Sequence, residues 1–247
     1  MSSGFAFRVK DGLARTVNSA LAPIHFRVAA RRLLALEVQY RARGEDVFHV
    51  PFRYQGPGIY SVISPSQVLE EIRSLYEAVR GIQPRTVCEI GTDKGGTFYL
   101  WCQAAADDAT VVSVDLPSRL RYSPARRRLY ARFRKTDRQK LHFIPGDSHS
   151  SGTLTRVKEA VCGRPIDFLF IDGDHSYAGA RQDYEMYSPL VRPNGLIALH
   201  DIHTERDGVG VPRLWEELKR SAVNYQEFSA PGAGGPTGCG IGIILKD

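Results

Sequence analysis

Apolar and polar positions alternate along the chain in two different rhythms. Up to about Arg43 the rhythm is helical: Leu13, Val17 and Leu21, then Val28, Leu33, Leu36 and Val38, which predicts two amphipathic helices. Residues 44–64 interrupt it with Pro51, Gly56, Pro57 and Gly58 set among Tyr54 and Tyr60, the composition of a structured loop. Ser64-Pro65 then opens a helix predicted to run through Val68, Ile72, Leu75 and Val79 and to stop at Gly81. From Thr86 onward, short runs apolar on both faces (86–90, 110–115, 141–145, 166–172, 196–201) alternate with helical stretches at 98–106, 154–162 and 178–187. Strands without a polar face, separated by helices, belong to a parallel sheet covered on both sides. A last helix at 212–221 precedes two strands, 225–229 and 240–245, whose short connection makes them antiparallel.

The predicted fold is therefore α/β: a doubly wound, Rossmann-like, mostly parallel seven-stranded sheet with an antiparallel final strand. Residues 1–64 form an N-terminal helical extension with an aromatic-rich loop, and residues 65–247 form the α/β domain. The extension cannot bury its apolar faces alone, so it is expected to cover the domain or a second copy in a homo-oligomer.

Composition narrows the class without changing the fold. A chain of 247 residues with 43% hydrophobic and 24% charged residues is globular, which excludes fibrous and wholly disordered readings. No apolar run approaches the ~18–20 residues of a membrane span, and Met1–Ala20 lacks the apolar core of a signal peptide. Cys88, Cys102, Cys162 and Cys239 are scattered and form no CxxC pair, the pattern of reduced thiols in a cytoplasmic protein.

The net charge of +6 is unevenly spread. Residues 119–140 hold eight Arg and two Lys against Asp137, which leaves the rest of the chain at −3. With Tyr122, Tyr130 and Phe133 interleaved, this insert reads foremost as a solvated amphipathic helix. A cationic lid for an acidic acceptor is an alternative, and nucleic-acid binding is disfavoured because no nucleic-acid module accompanies it.

Five successive strands each deliver an acid at their carboxyl end: Glu89, Asp115, Asp147, Asp172 and Asp201. In a doubly wound sheet that edge is where ligands bind. The first strand runs into Glu89-Ile-Gly91-Thr-Asp-Lys-Gly95-Gly96, whose glycines let a ligand approach the backbone near a helix N-terminus. Asp115 follows Gly91 by 24 residues, the place of an acid that accepts hydrogen bonds from a ribose.

These runs, with Gly146-Asp147-Ser148, Ile171–Tyr177, and Pro189–Gly195 leading into His200-Asp201, resemble class I S-adenosylmethionine-dependent methyltransferases. The resemblance covers about residues 65–245. It is nearest to the metal-dependent macrolide-sugar O-methyltransferases and the cephalosporin-hydroxylase-like proteins. It implies that Glu89, Gly91 and Gly95 surround the methionine part of S-adenosylmethionine, that Asp115 binds the ribose, and that Asp147 and Ser148 meet the adenine. It also implies that Asp172 and Asp201, joined by His200, hold a divalent cation, Mg2+ or Mn2+. His175 takes the spacing of the general base. The sequence departs from the pattern at His200, where relatives carry Glu, and at Ile202, where catechol-type enzymes carry Asn.

The implied activity is O-methylation of a hydroxyl on a sugar, glycoside or polysaccharide precursor. The alternatives are a phenol or catechol acceptor and a non-catalytic cofactor-binding scaffold. Two plainer roles compete for the histidines: His175 as a cap of the helix near Ser176, and His200 as a packed core residue.

Overall fold

The computed structural model describes residues 3–118, 122–230 and 239–247, with side chains from residue 21 onward. Its seven strands are β1 (Thr86–Ile90), β2 (Thr110–Asp115), β3 (Lys140–Pro145), β4 (Ile166–Ile171), β5 (Val191–His200), β6 (Tyr225–Phe228) and β7 (Ile241–Leu245). They form one sheet in the order β3-β2-β1-β4-β5-β7-β6. The first five are parallel, and β7 runs antiparallel between β5 and β6. The order reverses between β1 and β4, and a crevice at the carboxyl ends follows from that reversal.

The central strands are apolar throughout because both faces are covered. Val87, Phe168 and Phe170 enter the core on one side, while Cys88, Leu169 and Ile171 enter the core on the other. On the first side lie α3 (Leu69–Ile82), α4 (Gly96–Ala104) and α5 (Pro124–Tyr130), with α1 (Ser3–Ala42) and the short α2 (Val50–Arg53) outside them. On the second lie α6 (Ser151–Ala160), α7 (Tyr177–Tyr187) and α8 (Val211–Ser221).

Three expectations are corrected. The N-terminal pattern folds as one 40-residue helix that continues through Pro23, not as two. It docks by Ala29, Leu33 and Tyr40, and Tyr99 Oη in α4 donates to the buried Glu37 at 3.1 Å. Next, α3 begins at Leu69, because Ser64 and Pro65 remain in the loop, where Ile63 and Pro65 pack against Gly96. Finally, the basic insert is not a solvated helix. Tyr122, Leu129, Tyr130 and Phe133 are fully buried and Arg126 is buried with them, while Arg128, Arg132, Arg134 and Arg138 are exposed. No helix among the described residues is long and apolar enough to cross a membrane.

Candidate active site

A cavity of about 860 Å³ opens at the carboxyl ends of β1 to β5, within the ~300–1,000 Å³ usual for small-molecule sites. The loop from β1 to α4 forms its floor. Gly91 and Gly95 both adopt φ +89, a conformation costly for any residue with a Cβ. Space demands glycine too: a Cβ on Gly91 would overlap the Asp172 carbonyl, and one on Gly95 would lie 2.6 Å from the Tyr130 ring.

Glu89 lies beneath this loop rather than on the cavity wall. It is fully buried and accepts hydrogen bonds from Trp101 Nε1 and Thr92 Oγ1, each at 2.8 Å. Burial pushes its carboxyl up to about 8, so it carries a proton at neutral pH. Thr92 Oγ1 also meets Ser113 Oγ at 2.6 Å, and Tyr122 Oη donates to the Ser113 carbonyl. Glu89 is thus held in a buried network that fixes the loop expected to carry the methionine moiety.

Asp115 does line the cavity, and it accepts from the Asp93 amide at 2.6 Å. Burial raises its pKa, and the backbone amides of Asp93, Leu116 and Thr92 oppose the rise. Asp147 and Ser148 line the cavity beyond it, with the Asp147 carboxylate exposed and bonded to the His149 amide. These placements fit a nucleoside laid across β2 and β3: an acid for vicinal hydroxyls, and a polar turn for the base edge.

The other half is a cluster of two aspartates and two histidines. His175 Nδ1 lies 2.8 Å from Asp201 Oδ2, and His200 Nδ1 lies 3.0 Å from Asp172 Oδ1. Asp201 occupies a left-handed conformation at φ 64, which turns its carboxylate back beneath His175. The hydrogen bond that His175 donates to the Asp201 carboxylate raises the His175 pKa above its ordinary value. For His200, burial alone would lower the pKa, but the Asp172 carboxylate prevails and holds it well above 6.5. Neither plainer role describes these rings. Ser176, not His175, caps α7 through the Gly179 amide, and His200 is buried against carboxylates, not apolar packing.

Magnesium does not fit this donor set. Mg2+ takes oxygen ligands in octahedral geometry and keeps several waters. Here both carboxylates are already paired with imidazole nitrogens, and the Cys239 thiol closes a group with His200 and Asp201.

Three functional residues escape sequence reasoning. Gln67, from the loop before α3, donates Nε2 to Asp172 Oδ2 at 2.6 Å while its Oε1 is buried without a partner. Arg206 and Cys239 reach the cavity from the segments after β5 and before β7. None of the three sits at a strand-end motif, so no local signal announces it. Arg126, from the basic insert, donates to the carbonyls of Ile59, Val62 and Lys94 and so ties that insert to the cavity floor.

Comparison with known proteins agrees with this geometry. Residues 88–202 match a family model described as a methyltransferase domain. An uncharacterized protein of Sinorhizobium fredii, y4gI, is 28% identical over 153 residues, covering 60% of this chain. The chain spans 16% of the length of that relative. Among solved structures, an O-methyltransferase from Bacillus cereus in complex with S-adenosylhomocysteine is 19% identical, with a TM-score of 0.54. That alignment covers 88% of this chain and 90% of the other. The O-methyltransferase TomG from Streptomyces achromogenes, in complex with S-adenosylmethionine and involved in tomaymycin synthesis, is 14% identical at a TM-score of 0.54. Its alignment covers 87% of this chain and 90% of the other. At these identities the structural likeness is one of fold, and the family model adds that residues 88–202 resemble a methyltransferase domain.

Proposed function

We propose that the chain transfers the methyl group of S-adenosylmethionine to a hydroxyl of a sugar or glycoside. The observation that carries this reading is the polar acceptor wall. Gln67, Asp172, His175 and Arg206 line the cavity, and Tyr122 is the one phenol, phenyl or indole ring among the described lining residues. A polyol needs hydrogen-bonding groups of this kind, whereas a phenol or catechol gains most from aromatic and apolar walls.

The roles follow from the placements. Asp115 accepts from the ribose hydroxyls, Asp147 and Ser148 meet the adenine, and the Gly91–Gly95 loop carries the methionine moiety. When bound, the cofactor supplies an electrophilic methyl group on a sulfonium, and displacement is in line. Asp201 holds His175 by Nδ1, which leaves Nε2 to take the proton from the acceptor hydroxyl. A second copy of the chain would cover the outer face of α1, where Ile24, Leu34 and Val38 are exposed.

Incubation with labelled S-adenosylmethionine and a panel of glycosides and phenols, followed by product mass spectrometry, tests the acceptor class. Label on a sugar hydroxyl is the expected result, and label confined to phenols defeats the reading. His175→Ala should lower kcat by about 10²–10⁴ while leaving S-adenosylhomocysteine affinity unchanged.

A further inference from the structure

His200, Asp201 and Cys239 offer one nitrogen, one oxygen and one sulfur atom that all lie within 4.8 Å of one another. Several features mark this group as built. The His200 and Asp201 side chains are 6% and 3% exposed, and apart from the Cys239 thiol beside them, His200 Nε2 and Asp201 Oδ1 have no hydrogen-bond partner. The exposed Arg206 guanidinium, 3.8 Å from both Asp201 Oδ1 and Cys239 Sγ, must swing out when an ion binds. His200 Nδ1 faces Asp172 Oδ1 at 3.0 Å, so a carboxylate orients the ring from behind and leaves Nε2 to point elsewhere. A carboxylate behind a histidine whose second nitrogen binds metal is the usual outer-shell arrangement of zinc sites. Gly240, next to Cys239, donates its amide to the buried Glu71 at 3.1 Å, which pins the backbone that carries the thiol.

We propose that His200, Asp201 and Cys239 bind a borderline transition-metal ion of the zinc class, and that this site discriminates against magnesium. Thiolate and imidazole are ligands of zinc, cobalt and iron and are seldom used by magnesium. Zinc bonds of ~2.0–2.3 Å to nitrogen, oxygen and sulfur require only a small contraction of this group. Three protein ligands leave a fourth position open, as in zinc sites where a further molecule binds. The inference rests on the same cavity as the proposed methyl transfer, but it does not depend on the acceptor.

The test uses the 247-residue chain stripped of metal with a chelator and then titrated separately with ZnCl2, CoCl2 and MgCl2. Zinc should raise Tm and bind at micromolar or tighter concentration, whereas millimolar magnesium should do neither. Cobalt should give visible d–d bands together with a near-ultraviolet thiolate-to-cobalt band. Cys239→Ser should abolish that thiolate band and weaken zinc by about tenfold or more. Asp201→Asn should weaken zinc comparably, and Cys162→Ser, at an exposed thiol, should change nothing. Magnesium binding as tight as zinc, cobalt binding without the Cys239-dependent band, or no binding of any of the three ions would overturn the proposal. A parallel titration with S-adenosylhomocysteine separates the failures, because cofactor binding that persists without zinc binding sinks the metal site alone.

Discussion

Glu89 and Asp115 are strand-end acids of the same sheet, and burial raises the pKa of both, but only Asp115 faces the cavity. Glu89 is buried to the point of holding a proton up to about pH 8, whereas an unfolded glutamate loses it near ~4.3. The folded chain therefore binds a proton that the unfolded chain has lost, and stability falls as pH rises across that interval. Glu89→Gln keeps a neutral group of the same shape and removes this titration. In thermal melts, the Tm advantage of the Gln variant over wild type should widen from about pH 5 to about pH 9. A difference that stays flat would mean that the carboxyl is ionised throughout. Asp115 faces the cavity instead, so its loss should be read in binding. By calorimetry, Asp115→Ala should weaken S-adenosylhomocysteine by about 1–3 kcal/mol, the cost of leaving buried ribose hydroxyls without their acceptor. Unchanged affinity removes Asp115 from the ribose.

At the scale of elements, the strands were legible and the insert was not. β1 and β2 begin and end where the pattern of apolar residues places them, because a strand buried on both faces has no polar position to blur its limits. The same rule located the aspartates, since strand ends alone decide which residues reach the crevice. The 119–140 insert that contains α5 was hidden by its own composition. Eight arginines imply solvent, yet Tyr122, Tyr130 and Phe133 turn inward and Arg126 follows them. Nothing local tells a solvated arginine from one that meets three carbonyls remote in sequence, and Gln67 and Cys239 were missed for the same reason. Arg126→Leu removes the donors to the part-buried carbonyls of Ile59, Val62 and Lys94, at a cost of about 1–3 kcal/mol. Because Lys94 lies in the cofactor loop, calorimetry should show weaker S-adenosylhomocysteine binding together with the lowered Tm. A variant as stable as wild type would show that the guanidinium is replaceable by packing.

At the scale of the molecule, the N-terminal segment is part of the core. Leu33, Phe48, Val50, Tyr54, Tyr60 and Ile63 are 2% exposed or less. Full burial of such side chains is worth about 1.5–3 kcal/mol each, so together they rival the whole ~5–15 kcal/mol of a typical domain. A chain beginning at Ser64 should therefore fail to fold into a soluble protein, and expression followed by circular dichroism checks this. The outer face of α1 behaves differently, because Ile24, Leu34 and Val38 are each more than half exposed along one side of a long helix. Leu34→Asp with Val38→Asp touches none of the buried positions, so folding and S-adenosylhomocysteine affinity should survive. If a second copy covers that face, light scattering should show the wild type as an oligomer and the double variant as a monomer. A wild type that is already monomeric at high concentration, or a double variant of unchanged mass, would remove α1 from any contact between copies. The core role of the segment would stand in either case, since it rests on the inner face alone.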